Sequence, residues 1–274
     1  YQVRPRGMMH NWSPLSVAPT SQNSHVIMLD TTKFLTRVSI DSSKLPAVVT
    51  AQTGVQMQSL LQQLQNVGLG VTACPAPGDL TLGGVLAIDG HGTAVPAKGE
   101  NRLLGHTYGS FSNLLLSVTA VVFDTNSQRY ILKTFQRTDP EMQALMVHLG
   151  RALIVSVTFQ AGQNQRLRCI SRTDISAREL FAKDAKAGRT FSSFLDSAGR
   201  AEAIWFPFTE HPWLKVWSVC PKKPLVSRPV FTPFNYTFSD RLPKVLTDLI
   251  EDIVLKGQGH LTPLFGQTSL AISK

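Results

Sequence analysis

A strand-like start that runs straight into a turn opens the chain, and it constrains everything downstream. Tyr1-Gln2-Val3 alternates as the end of a β-strand does. Pro5 and Gly7 are then expected to interrupt regular structure, leaving Met8 to Asn11 as a loop. A strand entering a turn with a glycine of close approach is how backbone N–H groups are aimed at an anionic ligand. Arg6-Gly7-Met8-Met9-His10-Asn11 is therefore expected to cradle a phosphate, with His10 within reach of whatever the turn holds. Read alone, His10 is either that functional group or a loop histidine satisfied by a hydrogen bond.

Further along, Val26 to Leu29, Val38 to Ile40 and Val48 to Ala51 read as short strands, the last closed by Gly54. Met57, Leu60, Leu61, Leu64 and Val67 recur at helical spacing, and Gly68 supplies the stop. Gly78, Gly83, Gly84, Gly90 and Gly92 then lie within one strip of small and apolar residues that also holds Leu82 and His91. They are either ordinary tight turns or a backbone lying against a large flat or anionic ligand. No G-x-G-x-x-G follows a strand, so a Rossmann site has little support.

Gly105-His106-Thr107-Tyr108-Gly109 is a glycine-bounded turn leading to a hairpin, Val118 to Phe123 with Tyr130 to Leu132. Asp139-Pro140-Glu141 predicts a helix carrying Met142, Leu145, Met146 and Leu149. Leu153 to Phe159 predicts the strand that closes the first half.

From about residue 165 the texture changes, and the tryptophans and phenylalanines thicken. Ala203 to Phe208 and Leu214 to Val219 read as paired strands, followed by a helix from Pro243 carrying Leu246, Leu249, Ile250 and Ile253. Such aromatic density is core, or it lines a domain that takes a large apolar molecule.

A formal charge of +9 raises the question of nucleic acid. The cations are scattered, with no run longer than Lys222-Lys223, and nucleic-acid motifs are absent, so a solvated basic surface is the expectation. Such a surface also suits peripheral contact with anionic lipid. Cys74, Cys169 and Cys220 lack the spacing of a disulfide framework or a metal site. No stretch reaches the roughly 18 apolar residues of a membrane span. With no initiator methionine and an apolar run at the far end, the sequence is expected to be an internal fragment.

Pro5-Arg6-Gly7-Met8-Met9-His10-Asn11-Trp12-Ser13-Pro14-Leu15 resembles the flavin-attachment loop of oxidases with the vanillyl-alcohol-oxidase type of FAD-binding fold. The same group is resembled, in order, by Pro75 to Gly78 with Leu82-Gly83-Gly84 and His91-Gly92, by Gly105 to Gly109 with Ser112-Asn113-Leu114, and by Ala201 to Glu210. Within it the chain is most similar to the covalent-flavin (type II) cholesterol oxidases, from Val3 to about Phe265. It departs from them at Met8, where their loop has a small residue, and at Asn11, where it has glycine; asparagine tolerates positive φ.

The resemblance implies an α+β chain: an FAD-binding domain over 1–165 lacking its N-terminal part, then the start of a substrate-binding domain over 166–274 with an antiparallel sheet and helices. It implies FAD held by Arg6, Gly7, Met8, Met9, His10 and Asn11, with His10 as covalent anchor. Gly78, Leu82, Gly83, Gly84, His91, Gly92, Tyr108 and Gly109 would line the cofactor, and Ser156 and Val157 would reach it through backbone groups. His91 also reads as a turn histidine satisfied by backbone. Glu202 is expected to face the substrate cavity as a gate or acid–base group, or else to be a strand-edge glutamate in solvent. The implied reaction oxidises a 3β-hydroxysteroid with dioxygen, yielding hydrogen peroxide, with Δ5 to Δ4 isomerisation to follow. A polyol, sugar lactone or other secondary alcohol is the alternative substrate, and a flavin-binding fragment without activity the second. The remaining catalytic glutamate and arginine would lie beyond Lys274. The family also suggests a secreted or extracytoplasmic bacterial protein.

Overall fold

The first strand runs further than its proline suggested. In the computed structural model, which describes residues 1–11, 13, 15–17, 25–184, 188–229 and 242–273, β1 (Gln2–Arg6) passes through Pro5 and pairs in parallel with β2 (Val26–Asp30). Proline is tolerated in an edge strand because no neighbour on that side needs its N–H. The turn therefore begins at Gly7.

β3 (Val38–Asp41) and β4 (Ala47–Gln52) follow as antiparallel neighbours. Ala47, Val49 and Ala51 are fully buried while Val48 and Thr50 are exposed, the alternation of a half-buried strand. α1 (Met57–Asn66) buries Met57, Leu60 and Leu64, as its spacing predicts. Gly68 ends it at φ 76°, the left-handed conformation a helix terminus favours. Val67 lies past the last turn and is exposed.

Beyond β5 (Leu69–Gly70), the glycine strip folds locally as α2 (Leu82–Ala87), a short helix that the glycine content had concealed. Thr81 caps it, its hydroxyl accepting the Gly84 N–H at 3.2 Å. β6 (Leu115–Asp124) and β7 (Arg129–Gln136) make the expected hairpin. α3 (Met142–Met146) is shorter than expected: the chain leaves at Leu149, φ 54°, whose N–H bonds the Ala87 carbonyl at 2.8 Å. β8 (Ile154–Gln163) is the central strand, giving the order β3-β4-β8-β6-β7 with β5 also paired to β8, all antiparallel. The core of this unit gathers under the sheet, where the Phe111 and Phe159 rings meet edge to face at 5.0 Å. Burying a side chain of that size contributes about 3 kcal/mol.

By its contacts the chain parts into two units, which among the described residues are 1–92 with 102–164, and 93–101 with 165–229 and 242–273. The second unit holds a three-stranded antiparallel sheet of β9 (Leu167–Arg172), β10 (Ala201–Ile204) and β11 (Trp213–Val219), with β11 central. α4 (Ala177–Leu180) and α5 (Phe191–Ala198) contribute to its core, with Leu180, Ala198, Leu214 and Val216 buried. Thr190 caps α5 at one end and Gly199, φ 69°, closes it at the other. α6 (Lys244–Val254) begins after Pro243 as expected, and α7 (Thr262–Ser273) takes up the apolar stretch that reads in sequence as an exit.

Core aromatics are few in this second unit. Trp205 and Phe208 are exposed, and the buried cluster is mainly aliphatic. The further aromatics Phe231, Phe234, Tyr236 and Phe238 lie outside the described residues. The fold is α+β.

Candidate functional site

The loop that leaves β1 is tied at its root. Arg6 offers its carbonyl to both the N–H and the hydroxyl of Thr31, each at 3.0 Å. Gly7 then passes so close to Thr81 that a Cβ there would lie 2.2 Å from its hydroxyl oxygen, so only glycine fits without displacing the α2 cap. Met8 and Met9 are exposed, and Met8 Sδ receives the Gln56 side-chain amide at 3.7 Å. The left-handed residue is Met9, φ 59°, and not the Asn11 that the sequence marked as tolerant of positive φ. Asn11 instead donates its side-chain amide to the Ser13 carbonyl at 2.6 Å. Among the described residues the backbone N–H groups of Met8, Met9 and Asn11 have no acceptor, so these donors are open to a ligand.

His10 Nε2 lies 3.8 Å from Asp79 Oδ2, a separation longer than a hydrogen bond. The other carboxylate oxygen, Asp79 Oδ1, is buried and has no hydrogen-bond partner among the described residues. A buried acceptor left unmatched costs about 1–3 kcal/mol.

The glycine strip borders the same loop through Thr81. Gly78 is buried and its carbonyl accepts the Gln58 N–H at 2.8 Å; Gly83 donates to the Thr53 carbonyl at 2.8 Å. A Cβ on Gly84 would meet only the Thr81 hydroxyl, so the rest of its surface is open. Leu82 was expected against the cofactor, but its side chain is fully buried in the core. Gly92 packs on the Cys74 backbone, and burial pushes the Cys74 thiol up to about 11, leaving it protonated.

His91 is exposed and its Nδ1 lies 3.0 Å from the Gly92 carbonyl, as in the backbone-satisfied reading. A bridge from His91 to Ser110 brings it beside the Tyr108-Gly109 turn, where Gly109 has φ 91°. Tyr108 also lines a hollow of about 600 Å³ with Arg102, His106 and Gln160.

Two expected contacts are not assembled. Ser156 and Val157 lie in mid-β8, their backbones paired with β4 and β6, and the Val157 side chain is core. Central strands spend their N–H and C=O groups on neighbours, which removes the backbone contact foreseen for them.

Glu202 belongs to the second unit. It stands opposite Lys215 in the β10–β11 register, and Lys215 Nζ reaches Glu202 Oε1 at 2.9 Å. Lys215 is 6% exposed and lies over the Trp213 ring at 4.5 Å and the Trp217 ring at 5.6 Å. The glutamate is thus neither a free solvent residue nor a lone buried acid; it is one half of an ion pair framed by indoles.

Four residues that shape the first unit escaped the sequence reading: Thr31, Asp79, Thr81 and His148. Thr81 had a signal, a threonine just before an apolar helical turn, which the glycines masked. His148 had none. It is 7% exposed, and neither ring nitrogen has a hydrogen-bond partner in good geometry. Burial pulls its pKa from 6.5 to about 4, with the Gly83 backbone acting in the opposite direction. The folded imidazole is neutral where the unfolded one begins to protonate. Stability is therefore complete above pH 6.5 and is lost as pH falls towards 4. Through this group, urea unfolding at pH 4.5 should show a loss of about 2–3 kcal/mol relative to pH 7.5. In His148→Leu that increment should vanish; an unchanged acid sensitivity would assign it elsewhere.

Comparison with known proteins adds to this geometry. A family profile described as "FAD binding domain" matches residues 1–124, and one described as "Cholesterol oxidase, substrate-binding" matches residues 166–274. Fold and site together define a flavoprotein architecture, an FAD-binding domain followed by a substrate-binding domain. The second profile likens residues 166–274 to the substrate-binding part of cholesterol oxidases, and the first likens residues 1–124 to an FAD-binding domain.

Among solved structures it is similar to a solvent-stable cholesterol oxidase, at 59% identity and TM-score 0.94, covering 100% of this chain and 51% of that one. It is also similar to cholesterol oxidase from B. sterolicum, at 46% identity and TM-score 0.92, covering 100% of this chain and 50% of that one. A histidine-to-alanine variant of the Brevibacterium sterolicum protein matches at 46% identity and TM-score 0.91, with the same coverage. The chain thus spans about half the length of the structures it matches. No curated protein sequence matches it.

Proposed function

We propose that this chain is part of an FAD-dependent sterol oxidase that converts a 3β-hydroxysteroid to the ketone and dioxygen to hydrogen peroxide. One observation carries the reading. The His10 loop lies against the Thr81 cap in a chain whose 166–274 half matches a cholesterol oxidase substrate-binding profile.

The residues present fit a flavin dinucleotide. Met8, Met9 and Asn11 offer open N–H donors to a pyrophosphate, Gly7 permits close approach, and Gly84 leaves room that a side chain would fill. His10 would anchor the flavin covalently. Bound there, FAD supplies the hydride acceptor and the route of electrons to oxygen. The protein's part is to hold and orient it, to shield the reacting face from water, and to place the sterol hydroxyl. Glu202, paired to the Lys215 ammonium that lies over the Trp213 and Trp217 rings, is assigned to the substrate side as gate or acid–base group. The flat, apolar indoles around that pair suit a sterol ring system better than a polyol. Isomerisation of the Δ5 double bond belongs to the same proposal.

The test is peroxide release by the full protein. Cholesterol is expected to give peroxide and a conjugated enone product, with sorbitol and sugar lactones inactive. Turnover of sorbitol or a lactone in preference to cholesterol would transfer the chain to the polyol or sugar reading. Absence of peroxide with every alcohol would reduce it to a flavin-binding protein.

A further inference from the structure

We propose that Asp79 is the positioning residue for His10. Its carboxylate, 3.8 Å from Nε2, closes onto the Nε2–H of the imidazole when the flavin is in place and thereby leaves Nδ1 as the nitrogen that carries the lone pair and joins the flavin. The inference rests on the reading of His10 as the covalent anchor.

Two independent observations meet at this carboxylate. Asp79 Oδ2 is 3.8 Å from His10 Nε2, and Asp79 Oδ1 is buried without a hydrogen-bond partner among the described residues. Each ring nitrogen of a neutral imidazole has one role, and the partner of one decides the role of the other. A carboxylate at Nε2 selects the tautomer with its proton there.

The backbone around Asp79 is also held. Gly78 and Leu80 give their carbonyls to the N–H groups of Gln58 and Met57, both at 2.8 Å, at the first turn of α1. Thr81, two residues on, touches Gly7 and caps α2. Carboxylate and histidine loop are thus mounted on one frame, as a pair of groups that must meet at fixed distance requires.

Attachment forms one C–N bond between Nδ1 and the methyl carbon of the flavin's dimethylbenzene ring. One methyl C–H bond is broken and its proton passes to solvent. The Nε2 proton passes to Asp79 as the imidazole nitrogen becomes trivalent, and from Asp79 to solvent. The electron pair of the C–H bond remains with the flavin, which is reduced by two electrons. Dioxygen takes that pair with two protons and leaves as hydrogen peroxide, so the flavin ends oxidised and bound. Asp79 acts through His10 throughout and touches no reacting carbon.

The experiment compares wild type, Asp79→Asn, Asp79→Glu and His10→Ala in the full protein. Flavin per polypeptide is measured first under native conditions and again after acid precipitation. In wild type the flavin is expected to stay with the precipitate, and in His10→Ala to be released. Asp79→Asn should bind flavin natively to within about twofold of wild type, yet covalent incorporation on incubation with fresh FAD should slow at least about tenfold. Asp79→Glu should restore most of it. A merely structural role would lower native and covalent flavin together.

Covalent incorporation in Asp79→Asn at the wild-type rate overturns the proposal while leaving the His10 anchor intact. Release of flavin from acid-treated wild type, or its retention by His10→Ala, overturns the anchor and the proposal with it. Should Asp79→Asn also lose native binding, Asp79→Glu decides. Recovered covalent incorporation supports the carboxylate role, and continued loss overturns it.

Discussion

Arg200→Ala is expected to lower stability by about 3–5 kcal/mol, read as a shift of the urea midpoint at unchanged slope. Arg200 is 4% exposed, and its two terminal nitrogens meet both oxygens of Glu100 at 3.0 and 2.7 Å, with the Ala198 carbonyl at 3.3 Å. Truncation would leave the Glu100 carboxylate, itself 17% exposed, without its cation. The loss is that of an abandoned charge, and it greatly exceeds what a surface pair contributes. The double change Arg200→Met with Glu100→Gln should recover part of it, because neither charge is then stranded.

The pair also fastens 93–101, whose Val95 and Lys98 N–H groups bond the Gly199 and Asp196 carbonyls at 2.7 and 2.8 Å. Limited proteolysis of Arg200→Ala should therefore cut first within that stretch. A stability change under 1 kcal/mol, with 93–101 still protected, would show that the pair is dispensable.

That stretch also shows where sequence reading stops. Residues 93–101 join the second unit through a partner 100 positions away, and no local pattern announces a contact of that range. Elements whose periodicity met one apolar face were legible: α1 by its helical spacing, β4 by strict alternation, and the β6–β7 hairpin by its turn. β9 was not, because a strand with exposed side chains on both faces has no alternating signal. α2 was missed because two glycines lower helix propensity, while a threonine cap and burial of Leu82, Val85 and Leu86 restore it.

At the site, the loop and its histidine were legible because proline and glycine punctuate the backbone. Its supports were not. Thr31, Asp79 and Thr81 acquire their roles only when separate segments meet. The shift of positive φ from Asn11 to Met9 goes with the close approach of Gly7 to Thr81 and with a local bond from the Asn11 amide to the Ser13 carbonyl.

Gly54→Ala is expected to cost about 3 kcal/mol or more of stability and to weaken flavin retention in the same variant. A Cβ at Gly54 would lie 1.9 Å from the Thr31 carbonyl oxygen and 2.8 Å from that of Leu35. Both are backbone atoms, so neither can swing aside as a side chain does. Relief requires the 31–35 turn to move, which strains the bonds from Gly54 N to Leu35 O at 2.8 Å and from Leu35 N to Thr31 O at 3.2 Å. Thr31 in turn holds the Arg6 carbonyl by two bonds, and Arg6 is the root of the His10 loop.

Gly68→Ala is the control. Its φ of 76° makes alanine strained there by about 1 kcal/mol, but the space is open and the strain stays local. Gly68→Ala should keep wild-type flavin after native gel filtration, and Gly54→Ala should not. If Gly54→Ala kept both its stability and its flavin, the path from Gly54 through Thr31 to Arg6 would not set the loop. If stability fell while the surviving folded protein held flavin normally, the loop would be positioned by Thr81 alone.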